Sequence, residues 1–175
     1  TFLAPPEVGG RYSALSVFGM VPAALAGADL ESIARAAQQM AEACNADVPA
    51  PSNPGLQLGA TLGELALTGR DKLTILTDST LAALPPWIEQ LVAESTGKHG
   101  TGVVPIIDAA REDPGGYASD RFFVVHDTTR AERLADARHP VVQLTVDGGD
   151  GLFPLVFLWE MATAIAGRVL GLNPF

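Results

Sequence analysis

Residues 72–100, KLTILTDSTLAALPPWIEQLVAESTGKHG, decide the fold. Lys72 to Thr77 is a short apolar and β-branched run that predicts a strand, and Asp78-Ser79 closes it. Pro85 and Pro86 lack the N–H that later helical turns need, so a helix starts there. Gly97 is a suitable stop. Between them Trp87, Ile88, Leu91 and Val92 recur at three and four residues, which puts them on one helical face for burial. A strand followed at once by an amphipathic helix is the unit from which parallel sheets are built, because parallel neighbours need a crossover.

Working outward, the same alternation continues. Gly102 to Ile107 predicts a second strand, and Pro105 puts it at a sheet edge. Asp108 to Ser119 reads as a loop. Arg121 to Val125 predicts a third strand, Arg130 to Arg138 a short charged helix, and Val141 to Val146 a fourth strand. The turn Asp147 to Gly151 then leads into an apolar helix from Leu152. Upstream, Leu56 to Leu67 predicts a helix with a small-residue face (Gly59, Ala60, Gly63), stopped by Gly69. Strands written as continuous apolar runs argue for a parallel sheet covered on both faces. The expected fold is therefore α/β, a three-layer α-β-α sandwich with a mostly parallel sheet. In such folds sites lie at the carboxyl ends of the strands, where Asp78, Asp108, His126 and Asp147 fall.

Before Pro54 the pattern is helical. Tyr12 to Ala28 is almost wholly apolar, with Pro22 inside it, and predicts a buried helix or two short helices meeting at the proline. Asp29 caps a helix over Leu30 to Cys44 with Leu30, Ile33, Ala37 and Met40 on one face. Three prolines between Asn45 and Pro54 end this section, so the expected division is a helical lead-in, 1–50, and an α/β domain, 51–175.

The chain has 175 residues, enough for one ordinary domain that needs no disulfide staple. Its single cysteine, Cys44, has no partner, and no secretion signal is apparent, so a reducing cytoplasm is the expected location. With no initiator methionine, the chain reads as processed or trimmed. Net charge is −9, from 20 acidic and 11 basic residues, and the basic residues form no run, which argues against nucleic acid as a partner. An anionic small substrate would need a few converging cations, for which Arg11 and Lys98 are the candidates. Leu152 to Leu172 raises a membrane question. Glu160 and Arg168 inside it would each cost about 2.5–3.5 kcal/mol at a bilayer centre, so a buried core helix is expected and no membrane partner.

Gln90 and Glu94 are four apart and stack beside Trp87 and Leu91 at the margin of the apolar stripe. A carboxylate held against an indole is partly desolvated, which suits it to move a proton near neutrality. A boundary glutamate facing water fits the same spacing. Gly9-Gly10 ahead of Arg11 permits a close backbone approach that would aim a guanidinium, and a solvated turn arginine fits as well. His126-Asp127 with Ser79 or Ser119 lacks the Gly-x-Ser-x-Gly elbow of a hydrolase. Asp147 to Gly151 lacks the spaced oxygens and closing glutamate of a calcium loop, and three scattered histidines with one cysteine make no zinc set.

Glu94-Ser95-Thr96-Gly97-Lys98, with Gln90 before it, resembles a signature motif of the phosphoglucose (glucose-6-phosphate) isomerase family. Val8-Gly9-Gly10-Arg11-Tyr12-Ser13 resembles its other signature, in the family's order. Asn53-Pro54-Gly55 and Leu58-Gly59-Ala60 look closest to the isomerase part of bacterial transaldolase/glucose-6-phosphate isomerase fusions. The resemblance covers the C-terminal half of an isomerase and implies a sugar isomerase (SIS), flavodoxin-like domain. It implies a glycolytic and gluconeogenic interconversion of glucose 6-phosphate and fructose 6-phosphate through an enediolate. Glu94 would shuttle the proton and Arg11 would stabilise the enediolate, while Gln90, Gly10 and Lys98 would bind the sugar phosphate. No metal or organic cofactor is implied. The implied partners are the missing N-terminal half and a second subunit in a homodimer, either of which would cover the lead-in helices. The family's Gly-Gln-His segment is not found, and its closing Asp-Gln…Glu…Lys run lies beyond Phe175. The chain alone is therefore expected to be inactive, and a non-catalytic sugar-phosphate-binding or oligomerisation module is the alternative.

Overall fold

The computed structural model describes residues 2–107, 113–145 and 152–175. Four strands form one parallel sheet in the order β2-β1-β3-β4: β1 Lys72–Leu76, β2 Val104–Ile107, β3 Arg121–Val125 and β4 Val141–Gln143. Lys72 pairs with Val104 on one side and Arg121 on the other, and Phe123 pairs with Val141. As Pro105 predicts, β2 is an edge strand. The expected aspartates at the strand ends, Asp108 and Asp147, lie outside the described residues, as does the rest of the turn to Gly151.

Chain direction explains the layers. The connection from β1 to β2 runs one way across the sheet and carries α4, Leu84–Thr96. That from β3 to β4 runs the other way and carries α5, Thr128–Asp136. Right-handed crossovers in opposite directions place their helices on opposite faces. Side chains alternate accordingly. Leu73, Ile75, Phe122 and Val124 meet Ile88, Leu91 and Val92 of α4, whereas Leu76, Phe123 and Val125 meet Ala131 and Leu134 of α5.

The α4 face is the thicker one, because α3 (Pro54–Leu67) and α6 (Leu152–Val169) also cover it. These two helices pack closely for a reason written in the sequence. Gly55, Gly59 and Gly63 fall four apart on one face of α3, and a Cβ on Gly59 would stand 2.6 Å from both the Ala162 carbonyl and the Ile165 side chain. A Cβ on Gly63 would stand 2.6 Å from Val169. Asn53 starts α3 by accepting the Leu56 amide at 2.9 Å, and Gly69, at a φ of +85°, ends it. Among the described residues α6 is the one helix long and apolar enough to cross a membrane, and it lies in the core against α2, α3 and α4.

The lead-in differs from expectation. A 3-10 turn at Gly10–Tyr12 precedes α1 (Val17–Leu25), and α2 (Leu30–Ala43) follows. Asp29 caps α2 by accepting the amides of Glu31 and Ser32, as predicted, and Ile33 and Ala37 are buried. The apolar α1, however, is not a buried helix. None of its residues is buried, and Phe18 and Leu25 are 61% and 85% exposed. Apolar composition demands a cover, and within this chain α2 meets α1 only lightly.

Candidate active site

The last turns of α4 and the Gly10–Tyr12 turn face each other across a cleft of about 400 Å³. Gly10, Arg11, Trp87, Gln90, Leu91 and Glu94 line it. Four of the five predicted site residues therefore meet in one place, although Arg11 and Glu94 lie 83 positions apart. α4 starts at the carboxyl end of β1 and runs back along the sheet, so Glu94, near its end, belongs to the opposite edge from Asp78 and His126. The cleft is thus not the crevice at the carboxyl ends of the strands that the fold alone suggests.

Arg11 organises the cleft. Its guanidinium donates three ways: Nη1 to Glu94 Oε2 at 3.1 Å, Nε to Ser95 Oγ at 3.2 Å, and Nη2 to the Pro174 carbonyl at 3.2 Å. Three acceptors in different directions fix the plane of the group, as lysine could not. Tyr12 Oη also donates to Ser95 Oγ, at 3.3 Å, and burial, partly offset by that hydrogen bond, raises the phenol above its ordinary pKa. Ser95 is completely buried, so its hydroxyl is a fixed anchor for Arg11 and Tyr12.

Glu94 stands at the margin of the stripe, as its spacing predicts. Half of its side chain is exposed, and the group against it is the Arg11 cation. Trp87 stays only partly buried beside it, whereas Ile88, Leu91 and Val92 carry the buried face. Gln90 donates to Glu94 Oε1 at 3.2 Å, so the carboxylate is oriented from both sides while remaining open to the cleft. Arg11 is the one cation among the residues lining the cleft.

Lys98 is held elsewhere. Thr96 Oγ1, bonded to the Val92 carbonyl at 2.8 Å, accepts the Val103 amide at 3.0 Å and locks the exit from α4. Lys98 and Thr101 then exchange two 3.0 Å backbone bonds around His99 and Gly100, both at positive φ, the signature of a type I′ turn. From that turn Lys98 Nζ donates to the Asn173 carbonyl and, at 3.3 Å, to the Phe175 backbone oxygen. Gly97 therefore ends the helix without a left-handed conformation, its φ being −74°.

Glu160 on α6 sits where solvent is largely excluded, its Oε1 has no hydrogen-bond partner among the described residues, and its pKa is pushed up to about 7. Its charge reaches Tyr12. Sequence reasoning missed Tyr12, Ser95 and Glu160 as parts of this neighbourhood. The signal was present in two of them: Ser95 falls on the buried face of α4, four after Leu91, and Glu160 interrupts an apolar helix, and both patterns demand a polar environment.

At the carboxyl ends of the strands a second cleft, about 380 Å³, is lined in part by Thr77, Asp78, Ser79, Ile107 and Arg130. Asp78 is committed to capping: it accepts the Thr80 hydroxyl and the amides of Thr80 and Leu81, and the Thr80 hydroxyl first, then the Thr80 amide, lower its pKa. Both ring nitrogens of His126 are buried without a hydrogen-bond partner among the described residues, and burial lowers its pKa. Asp127 caps α5 through the Arg130 amide at 2.7 Å. His126 therefore pairs with neither Ser79 nor Ser119, and no group of three metal-ligating side chains occurs among the described residues.

Curated relatives of the chain are named glucose-6-phosphate isomerase. One from Symbiobacterium thermophilum is 29% identical over 99% of this chain and 49% of its own length. One from Parabacteroides distasonis is 37% identical over 60% of this chain and 24% of its own. One from Clostridioides difficile is 27% identical over the whole chain and 49% of its own length. The chain spans no more than about half the length of these relatives. The first of these alignments runs over 220 positions against 175 residues here, so at least 45 positions of that relative have no counterpart in this chain. No protein-family model matches. A hypothetical protein from Thermus thermophilus has the same fold, with a TM-score of 0.85 at 22% identity over 99% of this chain and 53% of that one.

Proposed function

We infer that this chain, a relative of the glucose-6-phosphate isomerases, is the C-terminal, SIS-type half of an aldose–ketose isomerase acting on glucose 6-phosphate and fructose 6-phosphate. The observation that carries this reading is the convergence of Glu94, Arg11, Gln90 and Gly10 on one cleft. Isomerisation needs a base that removes the proton from C2 of the open-chain aldose and returns it to C1, while the hydroxyl proton passes from O2 to O1. Glu94 is the base, open to the cleft and steered by Gln90. Negative charge develops on the enediolate oxygens between the two transfers, and the fixed guanidinium of Arg11 stabilises it there, where electrostatic help counts most. Gly10 leaves open space beside Arg11 for the sugar.

The phosphate is the unfilled requirement. Arg11, the cleft's one lining cation, is already paired with Glu94, so the phosphate falls to residues outside this chain, in the remaining half of an isomerase of the relatives' length. That half, or a second subunit of a homodimer, also covers the apolar α1. The working enzyme is cytoplasmic on this reading and needs no metal or organic cofactor. Coupled-assay turnover of fructose 6-phosphate tests it, comparing the 175-residue chain, a chain extended at both ends, and the extended chain with Glu94→Gln. Turnover in the extended chain alone, lost in the variant with ligand binding kept, is the expected result. Turnover that survives the substitution would sink the assignment of Glu94.

A second reading, a non-catalytic sugar-phosphate-binding or oligomerisation module, is favoured by the positions of the relatives that have no counterpart here and by the absent Gly-Gln-His segment. It predicts sugar-phosphate binding, no turnover in either chain, and indifference to Glu94→Gln.

A further inference from the structure

Asn173, Pro174 and Phe175 pass between the two cations of the α4 end. Their backbone oxygens are shared out in alternation: those of Asn173 and Phe175 go to Lys98, and that of Pro174 goes to Arg11. Three further contacts hold the segment. The Phe175 ring lies 5.0 Å from the Tyr12 ring, the Phe175 amide donates to Asn173 Oδ1 at 3.0 Å, and Pro174 is buried against Gly167. Gly167 is a fitted notch, since a Cβ there would come within 3.1–3.2 Å of the proline ring. Lys98 itself does not line the cleft.

We propose that Lys98 is a positioning residue rather than a ligand of the sugar phosphate: it straps residues 173–175 across the site so that the Pro174 carbonyl fixes the guanidinium of Arg11 against Glu94. The chemistry follows from donor counting. Arg11 has three acceptors, two of them on α4 and one on the strap. Losing the third leaves Nη2 without an acceptor and lets the guanidinium turn about the remaining two. The ammonium of Lys98 spends two of its three N–H donors on the backbone oxygens of Asn173 and Phe175, which holds it beside the strap and off the cleft lining. The consequence for catalysis rests on Arg11 stabilising the enediolate, whereas the strap is a property of the chain whether or not it turns over.

The test therefore has two arms. In the 175-residue chain, NMR follows the Tyr12–Phe175 ring-to-ring NOEs and the Nη signals of Arg11, which merge as guanidinium rotation speeds up. Lys98→Met is expected to abolish the NOEs and merge the Nη signals, and Lys98→Arg to preserve both. Gly167→Ala pushes Pro174 from the other side with Lys98 intact and is expected to merge the Arg11 signals too. Unchanged NOEs in Lys98→Met overturn the strap, and lost NOEs with unchanged Arg11 signals overturn the positioning role. In the extended chain, Lys98→Met is expected to lower kcat about tenfold or more with KM nearly unchanged. A rise in KM at constant kcat would make Lys98 a substrate ligand instead. If the extended wild-type chain has no turnover, the isomerase reading fails while the NMR arm still decides the strap.

Discussion

Replacing Glu160 by glutamine should make the protein more stable at alkaline pH and leave it unchanged at acid pH. The folded carboxyl titrates near 7 because burial disfavours its charge, against an ordinary value of 4.5. Between those values the unfolded chain has released the proton and the folded chain still holds it, so stability falls as pH rises through this window. Below about pH 4.5 the two states hold the proton alike and the carboxyl costs nothing, and above about 7 the cost is complete. At about 1.4 kcal/mol for each pH unit between the two values, the cost for a wholly buried group would be about 3.4 kcal/mol. Water reaches part of this side chain, which brings the working figure to about 1.7 kcal/mol. Glutamine keeps the shape and cannot ionise. Urea unfolding followed by Trp87 and Trp159 fluorescence at pH 4.5, 6, 7 and 8.5 measures the difference. The variant should match wild type at pH 4.5 and exceed it by about 1.5–2 kcal/mol at pH 8.5. A constant difference across the series, or a variant weaker at high pH, would refute the burial argument.

Three further outcomes follow from the same geometry. Gly59→Ala forces a methyl onto the Ala162 carbonyl and the Ile165 side chain and should cost about 1–3 kcal/mol in urea unfolding, whereas Ala60→Ser, on the half-exposed side of α3, should cost well under 1 kcal/mol. Ser95→Ala removes the buried acceptor shared by Arg11 and Tyr12 and should cost about 1–2 kcal/mol, with a lowered Tm in calorimetry. Arg11→Lys gives up the three-way fork: kcat/KM of the extended chain should fall about 10²–10³-fold.

Much of this architecture is legible along the chain because the signals are local. Pro85-Pro86 begins α4 where the missing N–H groups require it, Asp29 and Asn53 cap α2 and α3, and Pro105 lies on an edge strand. The glycines of α3 announce a close helix contact, although not that α6 is the partner. Elsewhere local pattern misleads. The apolar α1 predicts burial, but composition says only that a surface prefers cover, and none of the described elements buries it. The stripe places Glu94 at its margin, but nothing near it in the chain announces the cation it turns to, which arrives from 83 residues away.

The sequence by itself determined the parallel α/β sheet, the helix that carries Glu94 and Gln90, and the glycine-arginine turn, because each follows from backbone chemistry or side-chain periodicity within a dozen residues. Only the tertiary structure decided that the Arg11 turn closes on the far end of α4 rather than on the carboxyl ends of the strands. It alone set Ser95 beneath the guanidinium and gave Lys98 to the backbone of residues 173–175, 75 positions on. Those pairings depend on how α4 and α6 pack, and a packing angle is fixed by the sum of many contacts that no single stretch of sequence contains.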